Sequence, residues 1–127
     1  MLYEFRFPDE GPFDIVLTAS GVADLRVITE GRRRLLADER LRPGMSILSD
    51  LAGLNVDGLS GDQIRAVGRA GAEEAPFGRM VVVVPETALY GLGRRFGAVG
   101  WEEKLGDNFA VVRSIEEAHA WIKRVGE

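Results

Sequence analysis

The stretch of sequence that decides the fold is ILSDLAGLNVDGLSG, residues 47–61. A short apolar strand leads into Asp50 and a loop that contains glycines. Ser60 then begins a helix, and Gln63 lies three residues later, where it completes a reciprocal capping box. A parallel α/β sheet presents a functional loop in this way, where the carboxyl end of a strand meets the N-terminus of a helix.

Hydrophobic periodicity predicts the elements before this stretch. Residues 2–7 alternate apolar and polar side chains, as a half-buried strand does, and the turn cluster PDEGP joins them to a second strand at residues 13–19. A helix is expected at about residues 22–41, because apolar residues recur there at helical spacing and a Pro-Gly pair follows. Arg32 falls within the apolar arc of this helix, so we expect it either to extend past the edge of the core or to pair with Glu39.

The elements after residue 41 are predicted in the same way. They are a strand at residues 45–51, a helix from Ser60 to Gly71, a strand at 78–84, a helix that begins at Pro85, a polar link at 97–108, a strand at 109–113 and a helix with a capping box of Ser114 and Glu117.

The predicted order is β-β-α-β-α-β-α-β-α, which is typical of an α/β protein with parallel crossovers. The first two strands form a hairpin, so we expect a mixed, mostly parallel sheet of about five strands flanked by helices. No repeat or composition shift divides the sequence, and we expect one domain over residues 1–127.

Composition excludes several classes of function. The net charge of -4 and the pI near 5.1 provide no basic field for nucleic acid. Without cysteine the chain forms no disulfide and has no thiol nucleophile or thiolate metal site. The N-terminal residues lack the pattern of a signal peptide, and the apolar runs are too short to span a membrane. We therefore expect a cytoplasmic protein.

Three segments resemble the SpoIIAA-like branch of the STAS family, which comprises bacterial anti-sigma-factor antagonists and their relatives. Residues 47–61 resemble the family's strand-Asp-loop-Asp-Ser-Ser-Gly segment, with Asp50 as the leading aspartate. MVVVVPETALYGLGRRF, residues 80–96, resembles its apolar strand and following helix. FAVVRSIEEAHAWI, residues 109–122, resembles its closing strand and its Glu-Ala-x-x-Trp helix.

The resemblance implies a STAS-like fold and a non-enzymatic regulatory or protein-interaction module, with a kinase or an anti-sigma-like protein as its partner. In regulatory members the first serine of Asp-Ser-Ser-Gly is phosphorylated. Here Leu59 or Gly58 occupies that position, depending on the alignment, so a conserved phosphorylation switch is not expected. The alternative function is a carrier of a small apolar ligand or a lipid, with Sec14-like architecture. A homodimer is compatible with both functions, and neither requires a cofactor.

The predicted binding surface is the loop and the start of its helix, joined by the next helix. Its residues are Asp50, Asp57, Gly58, Ser60, Gly61, Tyr90 and Arg94. Ser60 is interpreted as a helix N-cap, with phosphorylation as the alternative. Asp50 and Asp57 lack the further ligands that a metal site needs, so Asp57 is expected to fix the turn through loop N–H groups. We predict neither a catalytic residue nor a metal ligand.

Other residues have two interpretations. His119 is predicted to be a solvated surface residue rather than part of a catalytic triad. Gly91 and Gly93 lie too far beyond the preceding strand for a dinucleotide fingerprint and are interpreted as helix packing residues. Trp101 either folds back over the sheet or is an exposed interface anchor.

Overall fold

The computed structural model describes residues 1–84 and 100–126. In these residues the strands are β1 (Leu2–Arg6), β2 (Ile15–Val22), β3 (Ser46–Asn55), β4 (Arg79–Val83) and β5 (Phe109–Val112). The helices are α1 (Leu25–Leu36), α2 (Gly61–Glu74), α3 (Glu102–Leu105) and α4 (Ile115–Gly126), and a short 3₁₀ helix covers Gly106–Asn108. The helix predicted to begin at Pro85 lies outside the described residues, as do Tyr90, Gly91, Gly93 and Arg94.

The five strands form one sheet in the order β1-β2-β3-β4-β5. β1 and β2 are antiparallel, and every other neighbouring pair is parallel. The α/β class, the mixed sheet and the order of elements agree with the sequence prediction. No helix in the described part of the chain is long and apolar enough to cross a membrane.

The sheet has two differently covered faces. On the first, which we call the α1–α2 face, residues of β2, β3 and β4 form a core with Leu35 of α1, Ala72 of α2 and Trp101. On the second, the α4 face, Val81, Val83 and Val112 pack against Ala118, Trp121 and Ile122 of α4. The buried residues of α4 recur at helical spacing, as those of an amphipathic helix do.

The first helix is shorter than predicted at both ends. Asp24 is its N-cap, and the Asp24 carboxylate accepts hydrogen bonds from the Arg26 and Val27 N–H groups at 2.8 and 3.4 Å. Val22 belongs instead to β2, where it pairs with Asn55. Beyond Ala37 the chain turns, because the Asp38 carboxylate binds both the backbone and the guanidinium of Arg40. This turn stops the helix before the Pro-Gly pair is reached.

Strands β2 and β3 continue further than predicted, and this changes the position of Asp50. After a register shift between Thr18 and Ser20, β2 still pairs with β3 as far as Asn55. Asp50 therefore lies inside β3, opposite Thr18 and Val83, and not at the strand's carboxyl end. The loop that follows β3 comprises residues 56–60.

The C-terminal part differs from prediction in two details. The predicted polar link contains α3 and the 3₁₀ helix, and the Lys104 ammonium of α3 binds the Ala72 and Ala75 carbonyls at the end of α2. At the start of α4, the Ser114 hydroxyl accepts from the Glu117 N–H at 3.1 Å, as expected. The Glu117 carboxylate, however, accepts from Arg113 instead of Ser114, at 3.4 Å.

Candidate functional site

The loop after β3 is held by short-range hydrogen bonds. The Leu59 N–H donates to the Val56 carbonyl at 3.0 Å. Ser60 is the N-cap of α2: its hydroxyl accepts from the Gln63 N–H at 3.1 Å, and its own N–H donates to the Gln63 amide oxygen at 2.8 Å. The capping box predicted for Ser60 is therefore confirmed. These bonds make the loop an ordered surface on which Gly58, Ser60 and Gly61 are exposed.

The two aspartates at the predicted site are not brought together. Asp50 lies five residues before the end of β3, which is about 16 Å along a strand, and its carboxylate accepts from the Ala52 N–H at 3.1 Å. The turn is fixed by Asn55, whose side-chain oxygen accepts from the Asp57 N–H at 2.9 Å, and not by the Asp57 carboxylate as predicted. Among the described residues, no three His, Asp or Glu side chains are placed to hold a metal ion.

A second candidate site, absent from the sequence prediction, is an apolar cavity of about 130 Å³ on the α1–α2 face. The sheet provides its floor through Leu17, Ala19, Ile47 and Val82. Helices α1 and α2 form its walls, and Met1 and Trp101 also line it. An engineered apolar cavity of about 150 Å³ is large enough to bind benzene. This cavity therefore has room for one small ring or a short branched chain.

Ser49 places a hydroxyl group on the floor of this cavity. It lies in the middle of β3, between Leu17 and Val82, and is 4% exposed. No hydrogen bond joins this hydroxyl to another group in the described part of the chain. Since no fully buried side-chain oxygen in that part lacks a partner, the Ser49 oxygen is reachable from the cavity and is available to water or to an occupant.

Arg32 lines the same cavity from α1. Its guanidinium donates from Nη1 to the Val67 carbonyl of α2 at 3.2 Å, and its Nε lies 3.6 Å from the Glu74 carboxylate. The side chain is 18% exposed. The expectation that Arg32 leaves the core at its edge is thus supported, but its partner is Glu74 and not Glu39. A Cβ on Gly71 would lie 3.7 Å from Nη1, which is ordinary van der Waals contact, so the guanidinium packs directly beside α2.

Tyr3 of β1 also lines the cavity, and it is the second lining residue that carries a hydroxyl group. Its ring packs so closely on α1 that a Cβ on Gly31 would lie 2.2 Å from it. Burial raises the pKa of Tyr3 to about 12, and the positive charges of Arg32 and Arg34 oppose this rise. The phenol is therefore neutral at physiological pH and can donate a hydrogen bond.

Trp101 is buried, and its ring stacks on Phe77 with centroids 6.1 Å apart. Of the two interpretations of Trp101, the one in which it folds back over the sheet is confirmed. His119 is exposed, as predicted, and its ring lies 5.8 Å from that of Phe13. The sequence signals for the cavity were Arg32 on an apolar helix face and Ser49 within an apolar strand.

The fold and this site define an α/β protein with a five-stranded mixed sheet and a small, mainly apolar cavity between the sheet and two helices. A scan against protein-family models and searches of curated proteins and of solved structures found no match to the chain.

Proposed function

We propose that the chain is a non-enzymatic binding module whose cavity takes one small apolar molecule. The observation that supports this proposal is the cavity of about 130 Å³, with apolar walls and a few polar groups. Sites for small molecules combine these two properties, since the apolar lining provides affinity and the polar groups fix orientation. The volume favours a single ring over the long acyl chains of a lipid.

Titration of the ¹⁵N-labelled chain with toluene tests this proposal. We expect amide shifts to concentrate at residues that line the cavity, such as Leu17, Ile47 and Ser49. An Ala19→Leu variant should lose binding, because the larger side chain fills the space that the ligand needs. Thr18→Leu is the matched control: Thr18 is the preceding residue, is exposed, and lies on the opposite face of β2. Unchanged toluene binding in Ala19→Leu would contradict the proposal.

A second candidate function is the protein-interaction module that the STAS resemblance implies, with a homodimer as one form. Its support is the loop of residues 56–60, which is fixed by its own hydrogen bonds while Asp57, Gly58 and Ser60 remain exposed. A loop that is already ordered loses little conformational entropy when a partner binds.

Gly58 provides a clean test of this second function. A Cβ there would meet nothing within 4 Å, so Gly58→Arg adds bulk to the loop surface without an internal clash. Native mass spectrometry of the chain isolated from its own cells should show a bound protein that Gly58→Arg removes. Glu10→Arg, at an exposed turn elsewhere, should retain that protein. A partner that survives Gly58→Arg would place the interface away from this loop.

A further inference from the structure

The polar groups of the cavity share one chemical property, which is that each can donate a hydrogen bond. Arg32 is a permanent cation with several N–H donors, and its Nη2 group has no hydrogen-bond partner in the described residues. The hydroxyl of Tyr3 is likewise without a partner in the described part of the chain. Ser49 contributes a third donor, a hydroxyl on the floor of the cavity.

The Arg32 guanidinium has one carboxylate partner in the described residues, that of Glu74. The Glu74 carboxylate lies 3.6 Å from Nε, which is too far for a hydrogen bond, and the Glu74 side chain is 54% exposed. The guanidinium's other polar contact in the described residues is with a neutral carbonyl, that of Val67. A guanidinium that is mostly buried and has N–H groups without partners in the described residues is suited to an oxyanion, because charge-assisted hydrogen bonds are stronger than neutral ones.

Resting on the proposed function, we propose that the ligand is a small monocyclic carboxylate whose ring occupies the apolar cavity and whose carboxylate is bound by Arg32 and Tyr3. The cavity volume limits the apolar part to about one ring. A carboxylate satisfies two donors at once, and its negative charge compensates the guanidinium. The position of Arg32 between α1 and α2 places this charged end at the edge of the core, where it remains partly solvated.

Calorimetric titration with benzoate and with toluene tests the proposal, because the two probes share a ring and differ in the carboxylate. We expect the unmodified chain to bind both. In Arg32→Met, benzoate should bind at least about tenfold more weakly, while toluene changes by less than about threefold. Arg32→Lys keeps the charge and should recover part of the loss. Arg33→Met is the control, since Arg33 is exposed on the same helix and binds Glu30, and it should change neither affinity.

The outcomes separate this inference from the proposed function. Toluene binding without benzoate binding, or benzoate binding that Arg32→Met leaves unchanged, overturns the carboxylate assignment and leaves the apolar cavity site standing. Failure of both probes to bind overturns both proposals. If Arg32→Met does not fold, Tyr3→Phe provides the test, and it should weaken benzoate several-fold without weakening toluene.

Discussion

The two faces of the sheet use the same strands but pack in different ways. On the α4 face, Ala118 and Trp121 lie directly against Val81 and Val83, and each of these residues is buried. On the α1–α2 face, the neighbouring side chains of the same strands border a cavity. Side chains of a strand alternate between faces, so packing on the two faces can differ along one stretch of sequence. On one face, therefore, α4 covers the strands directly, and on the other a cavity remains, which the proposed ligand would occupy.

The contrast is sharpest between two buried serines of β3. Ser46 is joined to Asp14 by three hydrogen bonds: the Ser46 N–H and hydroxyl donate to the carboxylate at 2.9 and 3.3 Å, and the Asp14 N–H donates to the Ser46 hydroxyl at 3.0 Å. Ser49, three residues later and on the α1–α2 face, has no such bonds in the described residues. One serine joins the start of β3 to the residue that precedes β2, and the other lines the cavity.

The largest expected effect is a loss of stability at high pH, and it originates on the α1–α2 face. Burial raises the pKa of Tyr3 from 10.0 to about 12, so the folded state keeps its proton more tightly than the unfolded chain does. The stability contributed by neutral Tyr3 is therefore complete below pH 10 and is lost as the pH rises toward 12. The expected loss is about 3 kcal/mol.

Urea unfolding of the natural chain and of Tyr3→Phe at several pH values from 9 to 12 measures this loss. Phenylalanine does not titrate, so the variant should lose less stability over the same range. Groups that titrate in both proteins, such as the lysines, contribute equally to the two losses of stability, so their contributions cancel when one loss is subtracted from the other. Equal losses in the two proteins would show that Tyr3 is not the group responsible.

The same substitution on the two faces provides the next test. Ala118→Leu on the α4 face should lower the free energy of unfolding by about 1–3 kcal/mol, because Ala118 is fully buried against packed side chains. Ala19→Leu on the α1–α2 face should change it by less than about 1 kcal/mol, since the added atoms enter the cavity. Chemical denaturation measures both changes. If the two substitutions lower the free energy of unfolding equally, the α1–α2 face has no more free space than the α4 face.

Replacing each buried serine by alanine should also give unequal results. Ser46→Ala removes hydrogen bonds from a partly buried network and should cost about 1–2 kcal/mol. Ser49→Ala removes no hydrogen bond within the described residues, so its free energy of unfolding should stay within about 0.5 kcal/mol of the original. A cost for Ser49→Ala as large as that for Ser46→Ala would mean that Ser49 has a structural role.

The smallest effect concerns the helix that forms one wall of the cavity. Ser60→Ala removes the N-cap of α2 and should cost about 1 kcal/mol in unfolding experiments. Ser60→Asp should retain most of the stability, because aspartate is also a good N-cap and favours the helix N-terminus. Loss of stability in both variants would point to a requirement for the hydroxyl itself.

The elements with strong local signals were predictable from the sequence. β4 is an apolar run of residues that favour strands, and Ser60 with Gln63 marks the start of α2 through contacts three residues apart. The ends of α1 were less predictable. Val22 continues β2 because it pairs with Asn55, which lies far along the chain. This pairing outweighs the fit of Val22 to the helical pattern of the residues that follow it.

The cavity could not be predicted from local pattern. It is the space left between residues such as Met1, Leu36, Leu54 and Trp101, which come from distant parts of the chain. Periodicity shows which side chains face inward, but not how completely they fill the interior. The position of Arg32 on an apolar helix face did carry information, since such an arginine must find its partners beyond its own helix.

The order of the strands has a consequence for the way in which the chain assembles during synthesis. Each strand pairs with the one before it, so every new strand can add to the edge of a sheet that already exists. The cavity is lined by residues between Met1 and Val82 and, much later, by Trp101. Since N-terminal parts emerge from the ribosome first, the apolar floor forms before the tryptophan that helps to cover it. A nascent chain therefore exposes the apolar floor of the cavity to chaperones before the side chain of Trp101 is in place.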